Sequence, residues 1–222
     1  MADQPTKRYA VVTGSNRGIG FEICKQLATK GMTVVLTARD ETNGVEAVGK
    51  LKQFGFSETV VFHRLDVTEP ACFNVNNAGI GGVTADEDAL RGGVLGKNIS
   101  NEWAKAVLGD AENLTEDKVD QVLRIFMNDF KEDSLEAKGW PTLLATYSIS
   151  KAAMNGYARV LAKKYPSFQI NCVCPGSVKT DINYNTGLLP VEEGAESAVR
   201  LVLLPNNGPS GHFFVRMAQS EF

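Results

Sequence analysis

The sequence predicts an α/β fold of the doubly wound type, a mainly parallel sheet with helices on both faces. Three observations carry this expectation. A short apolar run, Tyr9-Ala10-Val11-Val12, stops at a glycine-punctuated turn, Thr13-Gly14-Ser15-Asn16-Arg17-Gly18-Ile19-Gly20, and an amphipathic stretch takes over. Apolar, β-branched runs recur beyond it, as expected of strands buried in a parallel sheet. These runs alternate along the chain with stretches of helical period.

Strand, glycine turn and helix together open a unit that sets a phosphate on a helix N-terminus. Glycine is required there because the backbone approaches the pyrophosphate closely and a Cβ would intrude. The spacing Gly14-x-x-x-Gly18-x-Gly20 departs from the commoner G-x-G-x-x-G. On these residues alone, a tight turn without a ligand remains the alternative. Ile23, Leu27 and Ala28 form the apolar stripe of the first helix, and Gly31 ends it. Thr33–Thr37 reads as the second strand. Arg39 follows, about 20 residues beyond the glycine turn, where such a unit reads the ribose. A lone Arg after a strand is usually a solvated surface residue. Here Arg17 supplies a second cation and Ala38 leaves room, so the pair suits a 2′-phosphate and NADP rather than NAD. Asp40 is the discordant neighbour, and has to point away.

An amphipathic segment from Val45 to Phe54 leads to a third strand, Thr59–Leu65, which ends at Asp66-Val67. Phe73–Gly79 is a brief apolar run meeting a turn of small and polar residues. Only Thr68–Cys72 precedes it, too short for the crossover that a parallel return needs. Periodicity is weak from Gly81 to Gly109, where Gly92, Gly93 and Gly96 interrupt any helix. Thr115-Glu116-Asp117 then caps a clear helix whose apolar stripe is Val119, Val122, Leu123, Phe126 and Phe130. A helix from Tyr147 to Lys164 offers Ala153, Tyr157, Val160 and Leu161 to a core. A strand over Phe168–Cys174, a helix from Glu192 to about Leu203 and a short strand, Phe213–Val215, complete the alternation. No repeat or domain boundary interrupts it, so residues 1–222 read as one domain.

Composition narrows the partners. A formal charge of −3 gives no electrostatic reason to expect nucleic acid or an anionic membrane. No apolar run reaches the length of a membrane span, and Met1–Pro5 lacks the apolar core of a signal peptide. The four cysteines, Cys24, Cys72, Cys172 and Cys174, have no metal-ligand spacing, and with only His63 and His212 present no zinc site is expected. They read as reduced thiols of a cytoplasmic protein.

Tyr147 and Lys151 lie four apart on one predicted helix and so share a face. A phenol near pKa 10 is a poor proton donor or acceptor at neutral pH. A neighbouring ammonium, together with an oxidised nicotinamide, would pull that value down. The pair then suits protonation of a carbonyl as hydride arrives. A Tyr-x-x-x-Lys by itself is usually surface chance.

Taken together, the motifs resemble the short-chain dehydrogenase/reductase family. Thr13-Gly14-x-x-x-Gly18-Ile19-Gly20 is similar to its cofactor loop, which brings in Ser15, Asn16 and Arg17. Asn76-Asn77-Ala78-Gly79 is similar to its Asn-Asn-Ala-Gly turn, and Tyr147-Ser148-Ile149-Ser150-Lys151 to its active-site pair. Pro175-Gly176-Ser177-Val178-Lys179-Thr180 is similar to its nicotinamide-contacting segment. The resemblance implies a Rossmann-like NADP-binding domain, with Asp66 and Val67 at the adenine and Arg17 and Arg39 favouring NADPH. Asn101–Lys105, the stretch from Asp110 to Val122 and the Gly208–Gly211 turn further resemble plant reductases of that family. That implies a monomer, a small terpenoid-like or alkaloid-like ketone or enone as substrate, and Tyr147 with Lys151 as the proton-donor pair.

Two departures stand beside the resemblance. Between Asp66 and Asn76 the chain lacks the third crossover helix and the start of strand four. Between Gly96 and Asn101 it lacks a longer block, which in the family holds an active-site Asn and a central strand ending in an active-site Ser. Asn98 and Ser100 do not match those positions. Losing one such preorganised donor costs roughly 10²–10³ in rate, so a shortened chain that binds nucleotide without turnover is the alternative reading.

Overall fold

The computed structural model describes residues 8–66, 99–205 and 207–220. In chain order its elements are β1 (Tyr9–Val12), α1 (Gly18–Thr29), β2 (Thr33–Ala38), α2 (Glu41–Gln53), β3 (Val60–Arg64), α3 (Glu102–Gly109), α4 (Glu116–Lys131), α5 (Ala145–Lys164), β4 (Cys172–Cys174), α6 (Val191–Val202), β5 (Phe213–Val215) and β6 (Ala218–Ser220). They group into two compact units. The first takes the described residues of Met1–Gly82 together with Ser177–Val202, the second those of Val83–Gly176 together with Leu203–Phe222.

In the first unit the strands pair in the order β1-β2-β3, all parallel. Tyr9 lies opposite Thr33 and Val34 opposite Val60, as the alternation of strands and helices requires. Val34 and Leu36 are fully buried, with Leu27, Cys24 and Leu51 in the same core. α1 stops where the sequence places its stop. Gly31 takes φ +78, and Met32 N donates to the Leu27 carbonyl at 3.1 Å, satisfying an orphan acceptor of the last turn. α2 starts about one turn earlier than the apolar pattern suggests, because Asp40 caps it: the Asp40 carboxylate accepts from Asn43 N at 2.8 Å. A Cβ on Gly44 would fall inside the Phe62 ring, so the glycine lets α2 lie against β3. α6 packs along α1, where Gln26 Nε2 donates to the Glu192 carbonyl at 3.0 Å.

The second unit is built around α4 and α5. Ile99, Leu108, Val119, Val122, Phe126, Trp140, Ile149 and Ala152 bury against one another. Phe126 and Trp140 meet edge-on with centroids 5.2 Å apart. Thr115 caps α4 through Lys118 N, and Glu116 and Asp117 occupy its first turn, where the helix dipole favours acids. Phe130, the last residue of the expected stripe, is 53% exposed. On α5 the buried face is Ala145, Ser148, Ile149, Ala152, Ala153 and Gly156, whereas Tyr157 and Val160 pack only partly.

Three local expectations change. α3 forms in the stretch of weak periodicity, because Asn101 caps it (Ala104 N to Oδ1, 2.9 Å) and two buried residues, Ala104 and Leu108, anchor its two turns. Two turns are too few to display a period. The strand expected over Phe168–Cys174 shrinks to Cys172–Cys174, since the residues before it bond to a turn instead: Ile170 N to Ser210 Oγ and Asn171 Nδ2 to the Pro209 carbonyl. β5 lies parallel to β4, but β6 returns antiparallel to β5 through a two-residue turn with Arg216 at φ +54. A tight hairpin is normally announced by Gly or Asn at such a position; arginine gave no cue. Among the described residues the strands therefore form two sheets of three, mainly parallel. The brief run at Phe73–Val75 lies outside the described residues.

Candidate active site

The glycine loop of the first unit is held by side-chain chemistry as well as by glycine. Gly14 and Gly18 both adopt left-handed φ, +57 and +58, which a side chain would strain. Gly20 has an ordinary φ but no room: a Cβ there would meet the Gly14 carbonyl oxygen at 2.7 Å and Ser15 Cα at 2.9 Å. Ser15 is fully buried. Its Oγ donates to the Val12 carbonyl at 2.6 Å and accepts from Thr37 N at 3.0 Å, while its N donates to the Thr37 carbonyl at 2.9 Å. The loop is thus stapled to the end of β2, two residues before Arg39.

The N-terminus of α1 is open to an anion. Arg17 is its N-cap residue and makes no side-chain cap, and no acidic residue sits in the first turn. The leading N–H groups carry the positive end of the helix dipole, and a phosphate is the ligand that satisfies both demands. A Cβ on Gly14 would meet nothing within 4 Å, so the space over the turn is clear. The residues present fit a dinucleotide.

Arg17 and Arg39 are both exposed. Asp40, the discordant neighbour, is exposed and caps α2 by accepting from Asn43 N. Asp66 is half-buried just beyond β3. Thr180 comes to the same loop from far along the chain: its Cγ2 would lie 3.6 Å from a Cβ on Gly18. The turn that carries it is closed by Asn183, whose Oδ1 accepts from Thr180 N and whose Nδ2 donates to the Val178 carbonyl. Val178 is buried, 2.5 Å from where a Cβ on Gly194 would sit. Asn16, Gly18 and Ile19 are half-exposed along the loop. Val67, Asn77, Ala78 and Gly79 lie outside the described residues.

The second unit carries Tyr147 and Lys151 on α5. Lys151 Nζ stands 5.8 Å from the centroid of the Tyr147 ring. Tyr147 is 41% exposed. The chain enters the helix through Leu144 at φ +51, a strained conformation for a branched side chain. Partial burial pushes the Tyr147 phenol above its ordinary value, with Cys174 adding to the shift, and pushes the Lys151 ammonium below its own. The expected depression of the phenol by the ammonium is not seen in the chain by itself: desolvation and Cys174 set its direction, upward. Pro175 and Gly176, the latter at φ +88, follow β4 in this unit. Ser100 donates to the Gly139 carbonyl at 2.8 Å, so its hydroxyl is committed to a loop. Burial pushes Cys24 up to about 12 and Cys172 up to about 11, which keeps both as protonated, unreactive thiols at neutral pH. Among the described residues no helix is long and apolar enough to cross a membrane.

Comparison with known proteins follows the same lines. Residues 8–78 and 134–188 match the short chain dehydrogenase family. The chain is 44% identical over 297 residues to (+)-neomenthol dehydrogenase of Arabidopsis thaliana, covering all of both chains. It is 39% identical over 292 residues to salutaridine reductase of Papaver bracteatum, covering 93% of this chain and 94% of that one. Among solved structures, salutaridine reductase of Papaver somniferum superposes with a TM-score of 0.82 at 39% identity, covering 94% of this chain and 99% of that chain. Menthone neomenthol reductase of Mentha piperita gives 0.80 at 35%, covering 95% and 99%. The alignment with the Arabidopsis protein spans 297 positions against the 222 residues here, so that relative carries segments that this chain lacks. The chain belongs to the short chain dehydrogenase family, oxidoreductases built on a Rossmann-like, doubly wound α/β fold.

Proposed function

We propose that this chain is an NADPH-dependent carbonyl reductase acting on a terpenoid-like or alkaloid-like ketone or enone. The observation that carries the reading is the open α1 N-terminus above a glycine turn that Ser15 fixes to β2. Gly14–Gly20 would hold the pyrophosphate, Arg17 and Arg39 the 2′-phosphate, and Asp66 and Val67 the adenine, with Asn77, Ala78 and Gly79 also binding the cofactor. Pro175, Gly176, Val178 and Thr180 would contact the nicotinamide end. When bound, NADPH supplies the hydride that reduces the carbonyl carbon.

The remaining chemistry belongs to the chain's own residues. Tyr147 delivers its phenolic proton to the carbonyl oxygen, and Lys151 holds positive charge beside the ring so that the phenolate left behind is stabilised. Burial raises the phenol in the chain by itself, so it carries its proton at neutral pH. The Lys151 ammonium, together with the positive charge that develops on the nicotinamide as hydride leaves, would lower it for the transfer. The substrate class rests on relatives named for neomenthol, isopiperitenone and salutaridine. We further infer a cytoplasmic monomer, acting as one domain on small molecules without a nucleic-acid or membrane partner. Gel filtration at micromolar concentration tests the oligomeric part.

The test of function is consumption of NADPH with menthone, using Tyr147→Phe as the control. That change removes only the phenolic oxygen. Turnover should vanish in it while NADPH still raises the melting temperature. A variant that kept turnover would end the assignment of Tyr147.

One observation favours a second reading, a nucleotide-binding chain of impaired turnover. The segments that its relatives carry are missing here, and Ser100 is bonded within a loop. Under this reading kcat/KM with menthone falls at least ~10²-fold below that of a full-length relative, while NADPH stabilisation persists. Equal values in the two proteins would exclude it, and Ser148, Ser150 and Ser177 would be the hydroxyls to replace next.

A further inference from the structure

β3 ends in an arginine that the cofactor motifs leave without a role. Alternation along the strand puts Val60, Phe62 and Arg64 on one side, and Phe62 is the residue that meets α2 at Gly44. Arg64 thus leaves the sheet on the side of α2, in register with Ala38. Its Nε donates to the main-chain carbonyl of Arg39 at 3.1 Å. That bond fixes the guanidinium at the Arg39–Asp40 peptide and commits one of its five N–H donors. Among the described residues, none of Arg17, Arg39 and Arg64 forms an ion pair with a carboxylate.

The charge balance at this edge says what the third arginine is for. Arg39 is followed directly by Asp40 and Glu41. Formally, Arg17 and Arg39 do no more than cancel those two carboxylates. A phosphate monoester carries about −1.5 to −2 at pH 7 and gains little from a neutral edge. Arg64 brings a third guanidinium to this edge, and its planar fork suits bidentate contact with phosphate oxygens.

We propose that Arg64 is a specificity-determining residue for the 2′-phosphate, acting with Arg17 and Arg39. The proposal rests on the nucleotide-binding reading above. It is tested by calorimetric titration of the full chain with adenosine 2′,5′-bisphosphate and with 5′-AMP. Wild type, Arg64→Ala and Arg64→Lys are compared, with circular dichroism as the check on folding. Arg64→Ala should weaken the bisphosphate by about 10- to 100-fold, the size of a lost charged hydrogen bond, and leave AMP within about twofold. Arg64→Lys keeps the charge without the fork, so it should show a smaller loss, again confined to the bisphosphate. If Arg64→Ala does not fold, the lysine variant decides the matter by that same selectivity. Equal losses for both ligands would mean that Arg64 only braces the turn between β2 and α2, and would overturn the proposal, as would no loss for either. Wild type that does not prefer the bisphosphate to AMP would overturn the nucleotide reading itself, so the two failures are told apart.

Discussion

Ser15 and Thr37, 22 residues apart, exchange main-chain and side-chain hydrogen bonds that lock the glycine loop to the end of β2. Ser15 N donates to the Thr37 carbonyl at 2.9 Å, and Thr37 N donates to Ser15 Oγ at 3.0 Å. Both residues are buried. Thr37 Oγ1 adds a bond to the Val12 carbonyl at 3.0 Å, tying in β1 as well. Ser15→Ala removes the acceptor of a buried N–H and should cost about 1–3 kcal/mol, read from urea unfolding. NADPH affinity should fall with it, because the loop loses its fixed position over α1. Unchanged stability would show that water takes over the serine's bonds.

Gly20→Ala tests the packing of the same loop without touching its hydrogen bonds. The new methyl would lie 2.7 Å from a carbonyl oxygen and 2.9 Å from a Cα, both main-chain atoms with little freedom to retreat. The expected cost is about 1–3 kcal/mol, as for other overpacked sites, together with loss of nucleotide-induced stabilisation. Gly14→Ala makes the useful contrast. Its φ of +57 strains an alanine, yet no atom stands within 4 Å of the new methyl, so only backbone strain is added.

The phenol of Tyr147 should ionise late. Desolvation, with a smaller push from Cys174, raises it above the ordinary 10.0 in the nucleotide-free chain. An ultraviolet titration of wild type minus Tyr147→Phe isolates that one phenol. Its midpoint should lie above 10.0 without nucleotide, and should move down when NADP⁺ brings positive charge to the ring. The proton needed for carbonyl reduction is present below that midpoint and lost as pH rises through it. A midpoint below the ordinary value in the free chain would mean that Lys151 outweighs burial.

Asp129 ties the loop after α4 to its own helix, and the tie is acid-sensitive. Its carboxylate accepts from Lys138 Nζ at 2.5 Å and from Trp140 Nε1 at 2.8 Å. Those two donors hold it below the usual carboxylate range, and Lys138 is raised in turn. A carboxyl lowered by folding contributes stability above its unfolded pKa, roughly 3.9, and loses it as pH falls through the native value. Wild type should therefore melt above Asp129→Asn at neutral pH, with the gap closing at lower pH. A gap independent of pH would assign the effect to shape rather than charge.

How much was legible depended on whether the signal was local. The glycine turn, α1 with its stop at Gly31, the apolar run of β2 and the capped α4 are each written within a dozen or so neighbouring residues, and period and turn chemistry reveal them. The four spacing at Tyr147 and Lys151 likewise required only that the helix form. Asp40 was legible in principle, since a carboxylate three residues before Asn43 is a cap signal, but the apolar pattern of α2 begins only at Val45 and drew the boundary late.

What the sequence by itself determined is the alternation of strands and helices, the family, and the residue types offered to a nucleotide and to a carbonyl. Tertiary structure alone decided which of these meet. Thr180 reaches Gly18, Gln26 reaches Glu192, and Arg64 reaches the carbonyl of Arg39, across separations that no periodicity encodes. It also decided the sign of the Tyr147 shift, because helix spacing brings Lys151 to the same face but says nothing of how deeply the phenol is buried, and desolvation is what raises it. The antiparallel return of β6 was hidden for a related reason: Arg216 takes a left-handed φ that its side chain does not favour, and the paired strands around it supply the energy that holds it there.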